Sequence, residues 1–206
     1  VQLDEPAFTS DRTEEELAAL KRAYDRLGNA GLRPRILVTG EYGDLGPALP
    51  ILAASKVEAI GLDLISEPMS ASALAAIPGL KRKRLYAGVI DGRNVWKAAK
   101  GGKLDYLLEI RKHIPDLVVS TSCTLMHVPI DKLIEPDIPG DVADRLSFAK
   151  QKVGEVIALA KAITHGAPEH WYTRPATVHF KLKHDVRQRV ANIRPDQRQR
   201  APYAER

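Results

Sequence analysis

Cysteine occurs once in these 206 residues, at Cys123. One thiol cannot close an internal disulfide, which excludes the small disulfide-stapled scaffolds and fits a reducing, cytoplasmic setting. No apolar run approaches the roughly eighteen residues of a membrane span, and the chain does not open on a basic-then-apolar signal segment. No G-x-G-x-x-G follows a strand-like run, so a dinucleotide-binding fold has no positive support. Charge of one sign is also missing from most of the chain. Nine Lys/Arg face four Asp/Glu between positions 166 and 206, which accounts for the whole net charge of +5; positions 1–165 carry 22 of each sign. That basic tail reads as a solvated connecting segment, with neither a nucleic acid nor a membrane as expected partner.

What is present suits one sizeable globular domain. Apolar residues make up 44% and charged residues 28%, and the length is enough to bury a core. The opening "VQLDEPAF" lacks a methionine and starts directly in a strand-like run. Natural termini are usually looser and more polar, so the chain is expected to be part of something larger.

Along the chain, strand and helix signals alternate. "VQLDEP" reads as a strand ended by Pro6. "TEEELAALKRAYDRL" reads as a helix with Thr13 and Glu16 as a capping box and Leu17, Leu20, Tyr24 and Leu27 as its apolar stripe. "PRILVTG", "VEAIGLDL", "RLYAGVID" and "DLVVSTS" are further strands, separated by helices over "ALPILAAS", "SASALAAI" and "KLDYLLEIRKHI". The longest helix is predicted over 141–164, facing the core with Val142, Leu146, Ala149, Val153, Val156, Ala160 and Ile163. "HDVRQRVANI" predicts a short helix in the tail.

Alternation of this kind predicts an α/β fold with a parallel sheet, either doubly wound or a (β/α)8 barrel of the TIM type. Polar or acidic residues follow nearly every strand, as in "LDEP", "VTGEYGD", "LDLISEP", "VIDGRN" and "STSC". A barrel gathers its site from the carboxyl ends of its strands, so the pattern favours the barrel. Five units cannot close one. The expectation is an incomplete barrel over 1–165, whose first strands lie elsewhere, followed by a linker over 166–206.

The residues able to carry chemistry sit at those strand ends. Cys123 and His127 are separated by three positions, too few ligands for zinc and without a third group to orient a nucleophile pair; a buried thiol and a loop histidine is the expected reading. Asp4 and Glu5 are adjacent, so one carboxylate faces the barrel interior and the other the helices. Asp63 is a further inward candidate. In "VIDGRNVW", Arg93 and Asn94 serve to present donors to an anion, or, equally, Asp91, Arg93 and Asn94 bond neighbouring loops across the barrel mouth. His165, His170, His179 and His184 have no ligand spacing.

Taken together, "VQLDEPAF", "YAGVIDGRNVW", "VSTSCTLMHVPID" and "LSFAKQKVGEVIALAKAI" closely resemble the cobalamin-independent methionine synthases, the 5-methyltetrahydropteroyltriglutamate–homocysteine methyltransferase family. The resemblance is to the second half of the amino-terminal barrel and the segment leading out of it. It implies a parent of two barrels that transfers a methyl group from a folate polyglutamate to homocysteine, with zinc in the carboxyl-terminal barrel holding the homocysteine thiolate. It also implies partners for this segment: the first half of its own barrel and the catalytic barrel.

Residue by residue, the resemblance leaves this segment without a catalytic site. "LVTGEY" stands where the catalytic barrel has His-x-Cys, Asp63 near its glutamate and Cys123 near its final cysteine, and "DGRNV" replaces its proton-donating histidine. No bound metal and no catalytic residue are expected. Asp4 matches an aspartate that meets the homocysteine amino group there, and a structural role is expected for it here. The residues a ligand would meet are Asp4, Asp63, Asp91, Arg93, Asn94, Ser122, Cys123 and His127. The alternative is a stand-alone, non-catalytic module binding a polyanion such as folate polyglutamate; a weaker one is a barrel assembled from two half-barrel chains.

Overall fold

Short apolar runs closed by polar residues form five strands: β1 (Gln2–Asp4), β2 (Leu37–Gly40), β3 (Ala59–Asp63), β4 (Arg84–Ile90) and β5 (Leu117–Thr121). They were located in a computed structural model of the chain, which describes residues 1–135, 137–172, 184–194 and 197. Every pairing is parallel, and the strands lie side by side in chain order. A doubly wound sheet reverses its strand order at a switch point; this sheet does not, which is the winding of a (β/α)8 barrel. The fold is therefore α/β, five βα units of an incomplete barrel. Among the described residues β1 and β5 each have a single neighbour, so the sheet has two open edges.

The register separates two faces. Leu3, Val38, Ile60, Leu85 and Leu117 pair across all five strands, and one residue further along Asp4, Thr39, Gly61, Tyr86 and Val118 do the same. Successive side chains point to opposite sides of a strand. The first row faces the helices, and its three central members are 0% exposed. Each such burial contributes about 1.5–3 kcal/mol, an upper value because unfolded chains are already partly collapsed. The second row is mostly polar or small and lines the inside of the curve.

The helices cover the outer face. In α1 (Glu14–Gly28) the capping box forms, with Glu16 N–H donating to Thr13 Oγ1 and Thr13 N–H to Glu16. Leu20 and Tyr24 are buried, and the Tyr24 hydroxyl donates to Glu5 at 2.6 Å. Leu27, expected in that stripe, is 42% exposed, because Gly28 fills the contact instead: a Cβ there would lie 2.9 Å from Lys56 Cβ. α2 (Ala48–Ala54), α3 (Ala71–Ala76) and α4 (Lys100–His113) follow their strands, α4 burying Leu104, Leu107 and Ile110.

The single helix expected over 141–164 is in fact two, α5 (Gly140–Ala143) and α6 (Ala149–His165). Between them the backbone bonds sideways. Lys97 N–H donates to Arg145 O and Ser147 N–H to Val95 O, both at 2.8 Å, so Leu146 pairs with Trp96 as an antiparallel bridge. Those bonds engage one donor, Ser147 N–H, and one acceptor, Arg145 O, that a continuous helix would need. The buried positions of α6 are Lys152, Glu155, Leu159 and Ala162, and Val153, expected inside, is 47% exposed. Two buried charges on that face displaced the apolar pattern.

The compact unit formed by these elements runs Val1–Tyr172, and a second comprises Thr173–Arg206. The first ends with Trp171 and Tyr172 against α4: the Lys100 ammonium lies 5.2 Å from the Trp171 ring centroid, and the Tyr172 hydroxyl donates to Asp105 at 3.2 Å. In the second, α7 (His184–Ala191) coincides with the short helix expected there. Of the expected tail, 173–183, which holds His179, 195–196 and 198–206 lie outside the described residues.

Gly88 has no room for a side chain. A Cβ would sit 2.5 Å from Leu62 O, 2.8 Å from Ser122 Cα and 2.9 Å from Thr121 O. All three are backbone atoms and cannot swing away. Gly88→Ala is expected to lower unfolding free energy by about 3 kcal/mol, the upper part of the overpacking range; urea unfolding checks this, and a loss within error of zero would contradict the close approach.

Candidate functional site at the concave face

The inner face of the sheet encloses a concavity of about 600 Å³, floored by Leu37, Gly61 and Tyr86 and bounded by the ends of β1, β2 and β5. Asp4 lies within it, accepting from Gln2 Nε2 and Thr39 Oγ1, both at 2.7 Å. Those two donors, Gln2 first, hold its carboxyl below the usual range. Glu5 turns the other way, to Tyr24.

Glu41 and Tyr42 follow β2 directly and line the same concavity. Burial pushes the Glu41 carboxyl up, the nearby Asp4 and Asp63 add to this, and the Thr124 N–H donating to it at 3.2 Å opposes it. Asp4 and Glu41 therefore have their proton affinities moved in opposite directions, the condition under which one carboxyl can release a proton where another keeps it. Tyr42 has φ 74, the one non-glycine residue with positive φ among the described residues; such a conformation costs of order 1–3 kcal/mol and persists where its surroundings fix it. The hydroxyl of Tyr42 lies 3.0 Å from His127 Nε2, with the rings edge to face. Neither Glu41 nor Tyr42 was among the candidates named from sequence. The available signal was their place, immediately after a buried strand at the barrel's carboxyl end.

Cys123 and His127 have different partners. Cys123 is 1% exposed, its thiol meeting Thr124 O at 3.6 Å and Ser122 Oγ at 3.9 Å. His127 is exposed and turned to Tyr42. Ser122 accepts from Gly92 N–H at 3.2 Å, and Gly92 has no Cβ because Cys123 O and Sγ would lie 2.7 and 2.9 Å from it. The other candidates form loop structure. Asp63 accepts from Ile65 N–H, Ser66 N–H and the Ser66 hydroxyl. Asp91 accepts from Arg93 N–H, Asn94 N–H and Asn94 Nδ2, while Arg93 donates to the Ser66 hydroxyl at 2.6 Å. Asp91, Arg93 and Asn94 thus bond to one another and to the neighbouring loop.

A zinc ion needs three or four converging donors, deprotonated where they are thiols. Among the described residues no group of three or more His, Cys, Asp or Glu side chains could hold a metal ion. Burial, reinforced by Glu41 and Asp63, pushes the Cys123 thiol up, opposite to what a thiolate ligand requires. The residues of this concavity do not fit zinc.

The family described as "Cobalamin-independent synthase, N-terminal domain" matches residues 1–115. The chain belongs to that family. Members of it named 5-methyltetrahydropteroyltriglutamate–homocysteine methyltransferase are similar to this chain. That of Streptomyces avermitilis is 46% identical over 168 residues, 81% of this chain and 22% of the relative. That of Rhodococcus jostii is 45% identical over 166 residues, again 81% and 22%. That of Streptomyces griseus is 41% identical over 220 residues, covering 100% of this chain and 28% of the relative. The chain thus spans between a fifth and a third of the length of these relatives. A solved B12-independent methionine synthase from Shewanella sp. W3-18-1, in complex with selenomethionine, superposes with TM-score 0.53 at 21% identity over 79% of this chain and 47% of that one. At that identity the likeness speaks for the fold. No helix among the described residues of this synthase-family domain is long and apolar enough to cross a membrane.

Two measurements probe the segment after β5. Cys123 is expected to resist iodoacetamide in the native protein and to react fully once unfolded in urea; rapid native labelling by mass spectrometry would contradict its burial. Asp131 accepts from Lys150 Nζ at 2.8 Å, Leu133 N–H at 3.1 Å and Gln151 Nε2 at 2.6 Å, and these bonds, Lys150 first, bring its pKa to about 2. A carboxyl depressed in the folded state from an unfolded value of about 3.9 contributes stability present above that value and lost as pH falls through about 2. Asp131→Asn is therefore expected to be less stable than the parent chain at neutral pH and to lose less stability on acidification, followed by urea unfolding at a series of pH values.

Proposed function

We propose that this chain is a supporting, non-catalytic part of the amino-terminal barrel of a zinc-dependent methyltransferase, which transfers a methyl group from 5-methyltetrahydrofolate polyglutamate to homocysteine and so makes methionine in the cytoplasm. The observation that carries this reading is the full-length similarity to the Streptomyces griseus methyltransferase, 41% identical over all of this chain but only 28% of that relative. The zinc belongs to the parent's other barrel, where a coordinated thiol is held as the thiolate. The donor set here supports that division, since among the described residues no group of three or more His, Cys, Asp or Glu could hold a metal and the thiol in the concavity is buried. The first half of the barrel and the catalytic barrel are then this segment's partners within one enzyme, and the open edges of β1 and β5 are where strands of the same barrel would pair.

In this reading Asp4 is structural, since both donors that reach it come from its own sheet, Gln2 and Thr39. The alternative, a free-standing module for a polyanion, is disfavoured by the concavity itself. Asp4 and Glu41 line it, with Asp63 near enough to raise the Glu41 carboxyl.

The test is a chimera in which this chain replaces the matching segment of the Streptomyces griseus relative, assayed with zinc, homocysteine and triglutamylated 5-methyltetrahydrofolate. Methionine formation within about tenfold of the parent, a transition-state loss of about 1.4 kcal/mol or less, is expected from the chimera and none from the chain alone. Turnover by the chain alone would overturn the non-catalytic role. A folded chimera without turnover would overturn the supporting one.

A further inference from the structure

A second, smaller pocket of about 200 Å³ lies on the other side of the "DGRN" turn, lined in part by Asp91, Asn94, Lys97, Ala99, Lys103 and Lys152. It adjoins the start of α4, and that start is electrostatically unbalanced. Ala99 offers no side-chain cap, and the first turn contains no acidic residue but has Lys100 and Lys103. The amino end of a helix carries partial positive charge and N–H groups without intrahelical partners, so cations placed there are destabilising unless an anion joins them.

Lys152 makes the imbalance sharper. It is 1% exposed, and its ammonium reaches only Trp96 O at 3.3 Å and Asn94 Oδ1 at 3.4 Å. Both are long for a charged donor, and with three protons at least one is left over. Among the described residues the ammonium groups of Lys97 and Lys103 have no hydrogen-bond or ion-pair partner. Burial pulls the proton affinity of Lys103 and Lys152 down, outweighing the opposing charge of Asp91 on both and of Glu155 on Lys152; a closer anion would reverse this. The nearby acids do not supply that anion. Asp91 is already engaged by the Arg93 N–H, Asn94 N–H and Asn94 Nδ2. Glu155 accepts from Ala98 N–H at 3.2 Å, and its other oxygen is buried without a hydrogen bond to Lys152.

We propose that this pocket binds one small oxyanion, a carboxylate or phosphate group, between Lys103, Lys152 and the amino end of α4. The volume admits a single such group and is below the roughly 300 Å³ at which drug-sized ligand sites begin. The site is separate from the concave face and independent of the methyltransferase reading.

The experiment titrates the full chain, carrying Trp171→Phe so that emission comes from Trp96 beside the pocket, with inorganic phosphate and, separately, with acetate, at constant ionic strength balanced by sodium chloride, reading thermal midpoint and tryptophan emission. A saturable rise in midpoint is expected with at least one of them; phosphate alone identifies a phosphate source, acetate alone a carboxylate, and both a general oxyanion site. Lys103→Gln is expected to weaken binding about tenfold, Lys152→Met to abolish it, and Lys161→Gln, on the exposed face of α6, to leave it unchanged. If Lys152→Met fails to fold, Lys103→Gln decides, since its ammonium has no partner to lose. No saturation with either anion up to about 50 mM, where a site of millimolar affinity would be full, overturns the proposal, as does an undiminished response in Lys103→Gln.

Discussion

The close approach of three parallel backbones at Gly88 constrains how β4 and β5 end at the mouth of the sheet. Without a side chain there, β4 lies directly against Leu62 O and the Thr121–Ser122 backbone. Immediately beyond it the ladder between β4 and β5 shifts register, between Gly88 and Ile90. Irregularities of this kind bend a strand and re-aim the residues beyond the bend. Here Ser122 N–H donates to Ile90 O at 2.8 Å and Ser122 Oγ receives Gly92 N–H, so the end of β5 and the "DGRN" turn are fastened together. Buried Cys123, the Thr124 N–H that reaches Glu41, and His127 beside Tyr42 follow in the chain directly after that fastening.

The two faces of the sheet answer to different demands. The outer row from Leu3 to Leu117 is apolar because helices cover it, and the inner row from Asp4 to Val118 is mixed because it lines a space. That is why the alternation of strands and helices, the capping box of α1 and the polar strand ends could be read directly from the residues: each is a local pattern with a local cause. The barrel-type winding was inferred from the same strand ends, and the sequential order of the sheet agrees with it.

Other features were not legible because their cause is distant in the chain. The break before α6 depends on Val95 and Lys97, some fifty residues earlier, which take its backbone partners. The buried face of α6 includes Lys152 and Glu155, and a hydrophobic pattern assigns such residues to solvent by construction. Glu41 and Tyr42 were not among the candidates, since nothing in "EYGDLGP" announces that Thr124 will donate to one and His127 meet the other edge to face. Candidate residues named from their place in the chain, such as Asp63 and Asp91, proved to be tied into the turns that carry them; an aspartate after a strand bonds its own loop as readily as a ligand.

The sheet order has a kinetic side. Among the described residues each strand pairs only with its neighbours in chain order, so within this sheet no strand pairs across an intervening one. Order can begin in any adjacent pair and spread by one unit at a time, as it does along stacked repeats. Each step must still close a crossover through a helix, as between Gln2 and Leu37 or Leu85 and Leu117, and parallel pairing of that kind is slower than hairpin formation. Damage at either end of the row is then met by fraying of the outermost unit, while the middle units, sealed by Val38, Ile60 and Leu85, keep their neighbours.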